Sequence, residues 1–234
     1  MFMTVREFDD SNGGSIWPVL DARGEVSLEA GEHVLWRFSA DILCLRAVSS
    51  GDWDIDWKMP KRAEIVVTDR RVTFVCNKYD VGRKTFLTGV SVTADIVRMA
   101  TAKARRHGTA AAGQIRYGWL NRVWGGRHKN EITLTAIDAD HVFRRISLRS
   151  PKGPAAPSDV RTALVPDIAQ AAANWRIDNL REFPVDDETV VDRFRRIAED
   201  PRNAIHGQND ANGTAYYLGC SAAVGESSAF EESN

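Results

Sequence analysis

The sequence predicts a mainly β fold, a β-rich α+β arrangement built on antiparallel sheet. Three observations carry this. Residues Ala63-Glu64-Ile65-Val66-Val67 and Val72-Thr73-Phe74-Val75-Cys76 alternate in period 2 around the polar turn Thr68-Asp69-Arg70-Arg71, the pattern of a hairpin. Further alternating apolar runs recur at short spacing from His33 to Leu148. A helical apolar stripe appears only after them, from Ser158 onward. Strands joined locally and followed by a helix favour antiparallel over parallel sheet.

Residues 1–24 read as a polar lead with a turn at Asn12-Gly13-Gly14. Strands begin near His33, where Val34, Trp36 and Phe38 alternate with Leu35 and Arg37, and a second apolar run spans Ile42–Val48. In Asp52-Trp53-Asp54-Ile55-Asp56-Trp57 the acids are expected to face water and Trp53, Ile55 and Trp57 the core. The hairpin follows, then a strand over 85–92. Thr93 as N-cap, Asp95 in the first turn, Lys103, Arg105 and Arg106 in the last and Gly108 beyond predict a helix over 93–107. A second strand group places Ile115, Tyr117, Trp119 and Val123 on one face, then spans 132–137 and 142–148. Pro151-Lys152-Gly153-Pro154 is expected to end the sheet. Ser158 caps a helix whose apolar stripe is Val160, Leu164, Ile168, Ala171 and Trp175. Pro166 interrupts it, as a kink or as the first residue of a second helix. A short helix over 187–199 belongs to an extension at 181–202. Residues 203–234, rich in Gly, Asn, Ser and Ala, read as a disordered tail. The expected core includes Trp36, Ile65, Val67, Phe74, Ile115, Trp119 and Trp175.

The chain has 234 residues, 43% hydrophobic and 27% charged, as in a soluble globular protein. Cys44, Cys76 and Cys220 are odd in number and far apart, which fits neither a zinc site nor a disulfide framework. A reducing cytoplasm is the expected compartment, and no apolar run approaches the ~18 residues of a membrane span. Net charge is −1, but the charges are segregated. Residues 1–33 hold seven acidic and two basic groups, and residues 178–234 hold twelve and five. Residues 96–130 hold eight basic groups and no acidic one.

Ala30-Gly31-Glu32-His33-Val34-Leu35 and Val67-Thr68-Asp69-Arg70-Arg71-Val72 resemble the "GE" opening and the "T-D/N-R-R" turn of GRAM and bacterial PH-like domains. The resemblance spans residues 25–180. It implies an antiparallel barrel of two packed, nearly orthogonal sheets closed by a C-terminal helix. The helix at 93–107 is an insertion relative to that pattern. It further implies a non-catalytic platform for lipids or protein segments, although fold alone does not set function.

Asp52, Asp54 and Asp56 match three positions of a calcium loop, but Trp57 stands where glycine is needed and Ala63 where glutamate is needed. The five histidines never approach metal-ligand spacing, and no nucleophile or phosphate-loop motif is present. No cofactor is therefore implied. The basic middle is the functional signal. Arg105 and Arg106 precede a Gly- and Ala-rich loop, and Arg122, Trp124, Arg127 and Lys129 form a basic turn with an aromatic. Guanidinium groups beside aromatics suit phosphate, whether of lipid headgroups or of nucleic acid. The bland alternatives are helix-dipole complementation, a solvated hairpin, or contact with the chain's own acidic tail. The expected function is a non-catalytic binding module for an anionic ligand, a lipid headgroup or an acidic protein segment, peripheral at the inner membrane surface in the first case. Nucleic-acid binding through residues 98–129 is the alternative, and an enzyme of unrecognised type the second alternative.

Overall fold

The computed structural model describes residues 18–21, 25–48, 52–58, 62–77, 110–125, 130–137, 143–152, 160–181, 184–185, 187–204 and 215–219. The expected strand at 85–92 and inserted helix at 93–107 lie outside these residues.

Among the described residues the fold is mainly β, with one large antiparallel sheet and two helices. The strands are β1 (Val34–Ala47), β2 (Trp53–Lys58), β3 (Ala63–Thr68), β4 (Arg71–Asn77), β5 (Ala110–Arg116), β6 (Leu120–Gly125), β7 (Glu131–Ile137), β8 (Phe143–Lys152) and β9 (Ala215–Tyr217). The helices are α1 (Val160–Asp178) and α2 (Glu188–Glu199). Strand order is β5-β4-β3-β1-β8-β7-β6-β9, with β2 also on β1.

The long β1 organises the sheet. Along one edge its first half pairs with β3, Val34 to Thr68 and Ala40 to Ala63. Its second half pairs with β2 along that edge, Leu43 to Lys58 and Ala47 to Trp53. β8 runs along its other edge. The β3–β4 hairpin holds the expected register, with Val67 opposite Val72 and Ile65 opposite Phe74. β8 continues through Pro151, which was expected to end the sheet. Ser39 pairs with Lys152 but Asp41 with Arg149, so Pro151 sits in a bulge, where a missing N–H breaks no ladder bond.

The expected closed barrel of two sheets is not formed. The ladder is one continuous sheet with β5 and β9 as its edges. It is nonetheless strongly curled. β5 and β6 lie six strands apart in the order, roughly 29 Å in a flat sheet, yet only Tyr117–Trp119 joins them. Such a link reaches about 14 Å at most. Closure fails because other partners take the groups at the seam. β9 occupies the outer edge of β6, with Arg122 opposite Tyr217 and Trp124 opposite Ala215. The Tyr117 N–H donates to Arg70 O (3.2 Å) and its hydroxyl to Thr68 O (2.6 Å), while Arg176 donates to Gly118 O (2.6 Å).

The core lies inside the curl. Phe38, Ile42, Ile65, Val67, Phe74, Ile115, Val123, Leu134, Ile146 and Leu148 are all buried there. Helix α1 covers β6 and β7 with Leu164, Val165, Ile168 and Ala172. It runs through Pro166 as a single helix. Helix α2 packs on α1 through Val190, Phe194 and Ile197, with Gln170 Nε2 donating to Ala198 O (2.8 Å). Asp187 caps α2 by accepting from Thr189 N (2.9 Å).

Further expectations change. Trp36, Trp119 and Trp175 are only partly buried, unlike Ile65, Val67, Phe74 and Ile115. Tyr117 and Trp119 belong to the turn between two strands and do not extend one strand. Ile55 is 71% exposed and does not face the core. It lies opposite Leu45, on the side of β1 away from Cys44 and Ile42. Within the stretch read as a disordered tail, residues 215–217 form β9, and Tyr216 and Leu218 are buried. The expected boundary at 24/25 falls inside a small bridge between Leu20 and Val26, which covers Val66 and Val75 on the outer face of the sheet.

Candidate functional site

Period-2 alternation places two arginine-bearing patches on the outer face. Val123, Ile146 and Tyr216 point into the core, so Arg122, Trp124, Arg145 and Tyr217 point out. The Arg122 guanidinium lies 4.7 Å from the centre of the Trp124 ring and 4.5 Å from that of Tyr217. Arg145 lies 4.2 Å from the Trp53 ring and 5.5 Å from Trp124. The row Tyr217, Arg122, Trp124, Arg145, Trp53 therefore alternates ring and cation across the sheet. Beneath it, the outward-facing Thr133, Thr135 and Ser147 are shielded from water. Burial lowers the Arg145 pKa to about 10, and the neighbouring Arg122 charge adds to this, while Glu131 opposes it. Arg145 remains cationic at neutral pH. Glu131 itself accepts from Arg149 Nε (2.9 Å).

Of the residues expected to form the site, Arg122 and Trp124 are brought together here. Arg105, Arg106, Arg127 and Lys129 lie outside the described residues. Arg145, Trp53 and Tyr217 were missed. The sequence pattern places Trp53 toward the core, and Tyr217 lies in a polar tail with no apolar period. The usable signal for Arg145 was its alternation with Ile146, which puts it outward. Asp54, weighed as a calcium ligand, sits exposed on a strand and not in a loop.

The second patch lies over β3, β4 and β5, and the chain itself closes it. Arg71 is 2% exposed and clamps Glu32 in a fork, Nε to Oε1 at 2.8 Å and Nη2 to Oε2 at 2.7 Å. Its Nη1 donates to Gln114 Oε1 (2.6 Å) and its Nη2 to Ser27 O (3.2 Å). Glu32 also accepts from the Thr68 hydroxyl (2.7 Å) and the Glu29 N–H (2.7 Å). Burial pushes the Glu32 pKa up, but the bonds from Arg71, Glu29 and Thr68 and the Arg71 charge outweigh it, leaving the carboxyl below its usual range. Thr68 Oγ1 in turn accepts from the Arg70 and Arg71 N–H groups, shaping the turn. Gly31 takes a positive φ of 72° to aim Glu32 at this cluster. The two short motifs noted in the sequence are thus physically joined, Gly31-Glu32 to Thr68 and Arg71.

Between that turn, the start of β1 and helix α1 opens a cleft of about 1060 Å³. Trp36 and Trp175 line it, with Asp167 accepting from Trp36 Nε1 (2.8 Å). Arg70 and Arg116 stand on the turn side, both beside Glu29.

No family model, curated protein or solved structure matches the chain.

Proposed function

We propose that the chain is a non-catalytic binding module whose open outer face takes an anionic group, a lipid-headgroup phosphate or a carboxylate of an acidic protein segment. The observation that carries the reading is the Arg122–Arg145 pair. Each guanidinium rests on aromatic rings, and burial together with the Arg122 charge lowers the Arg145 pKa. Rings orient the Arg145 cation without neutralising it. An anion between the two arginines would relieve their repulsion and gain charge-assisted hydrogen bonds. No helix among the described residues is long and apolar enough to cross a membrane.

The strand order supports a PH-like reading of the fold. Leaving aside β2 and β9, seven strands run as two meanders that meet at β1 and β8, and a single long helix follows. Nucleic acid fits this face less well. Guanidinium groups already cover faces of Trp53, Trp124 and Tyr217, which a base would need for stacking.

The test is binding to vesicles of neutral lipid with and without added anionic lipid, to an oligoglutamate peptide, and to single-stranded DNA, each across a salt series. Salt-sensitive binding to anionic vesicles or to oligoglutamate, abolished by Arg122→Glu with Arg145→Glu, supports the reading. Preference for DNA transfers it to the nucleic-acid alternative. Absence of salt-sensitive binding to all three removes it.

A further inference from the structure

The α1 cleft has the opposite character to the arginine face. Four carboxylates line it, Glu29, Asp69, Asp167 and Asp178, against two cations, Arg70 and Arg116. Both cations are already engaged with one carboxylate. Arg116 Nη2 lies 2.6 Å from Glu29 Oε1, and Arg70 Nη1 lies 3.8 Å from Glu29 Oε2. The lining residues therefore carry a net −2. Arg71 and Glu32, behind the wall, cancel each other. Arg176 is buried behind the helix, donating to Gly118 O (2.6 Å) and Leu120 O (3.5 Å), and even counting it leaves a net −1.

The geometry adds to the charge. Asp178 closes α1, so its carboxylate lies beside the negative end of the helix dipole. It is exposed at the cleft. Trp36 and Trp175 present half-buried indoles nearby, and Leu35 is 43% exposed on the rim. Indole faces and an aliphatic edge beside carboxylates suit a cation on an apolar stem. At about 1060 Å³ the cleft reaches the upper end of the roughly 300–1,000 Å³ usual for ligand pockets. That leaves room for several residues of a chain.

We propose that the α1 cleft binds a basic peptide segment. Lysine or arginine stems lie along Trp36, Trp175 and Leu35, and their cationic heads reach Asp178 and Asp167. This site is separate from the arginine face and does not depend on what that face binds. The chain then carries two recognition surfaces of opposite sign, one on the outer face of the sheet and one beside the helix.

Three labelled peptides of equal length test this, alternating leucine with lysine, with norleucine or with glutamate, each followed by fluorescence anisotropy. The lysine peptide should bind the full chain and the other two should not. Asp178→Lys should weaken it about tenfold, the effect of reversing one unit charge several ångströms from a cation in a watery site. Asp54→Lys makes the same charge change on exposed β2 and should leave the affinity within about twofold, since charges beyond a Debye length are screened. Arg145→Glu should also leave it intact, even if it abolishes binding of anions to the outer face. The proposal is overturned if the lysine peptide does not bind, if the three peptides bind alike, or if Asp178→Lys and Asp54→Lys act equally.

Discussion

Arg71 and Arg145 lie on the same outer face of one sheet and lead opposite lives. Arg71 is 2% exposed, forked onto Glu32 and roofed by residues 25–32. Arg145 lies on Trp53 and Trp124, beside a second arginine, with no carboxylate paired to it by an ion pair among the described residues. A carboxylate partner cancels an arginine's field and makes it part of the frame. An aromatic partner holds the side chain still and leaves the charge for something else. Composition cannot tell these apart, because both residues sit in strands as outward-facing arginines.

The largest expected effect follows from the closed patch. Glu32→Ala leaves Arg71 buried without its countercharge and should cost about 3–5 kcal/mol, read by denaturant unfolding. Replacing Arg71 and Glu32 together with methionine should recover most of that loss. If Glu32→Ala costs no more than a surface substitution, the contrast between the two patches collapses.

Second in size is removal of residues 205–234. β9 seals β6 and supplies the Tyr217 ring to Arg122, while Tyr216 and Leu218 are buried. Losing those two side chains should cost about 3 kcal/mol, and thermal unfolding should fall by several degrees. An unchanged melting temperature would show that β9 does not stabilise the edge.

Smaller still, Arg145→Ala should cost about 2 kcal/mol or less, the scale of a partly desolvated cation–ring contact. Its signature is the mismatch between a small stability change and a large loss of anion binding. A stability loss matching that of Glu32→Ala would make Arg145 a second frame residue.

The pH dependence separates the patches as well. The folded-state pKa of Glu32 is lowered, so its contribution is fully present above its ordinary value of 4.5 and is lost as pH falls through the folded value. Acid unfolding should therefore steepen below pH 4.5 in the native chain. That component should be missing from the double methionine variant, with urea midpoints across pH as the readout.

These contrasts mark how far the sequence could be read. The β3–β4 hairpin was legible because one register alone buries Ile65, Val67, Val72 and Phe74 together. Helix α1 was legible from Leu164, Ile168 and Ala171, spaced to share one side. β9 was not. Three residues carry no period, and they hold only because β6 offers an open edge. Barrel closure was misjudged for the same reason, since that edge is filled by a segment distant in sequence. Two of the five residues of the arginine face were visible, Arg122 and Trp124. The rest was hidden because Trp53 sits between acids and looked like core, whereas β2 turns Trp53 and Ile55 to the outer side of β1. Which arginines are neutralised depends on contacts such as Glu32 to Arg71, 39 residues apart. Local patterning does not encode that.

The most direct measurement compares two charge reversals on the same vesicles. Flotation of the chain with anionic vesicles is followed from low to physiological salt for the native protein, Arg145→Glu and Arg70→Glu. Arg70 sits on the Glu29 side of the closed patch and serves as the matched control. Salt-sensitive binding should be lost in Arg145→Glu and retained in Arg70→Glu, with both variants folded by circular dichroism. Equal loss in both, or undiminished binding in Arg145→Glu, would contradict the claim that the ring-held arginines form the anionic site.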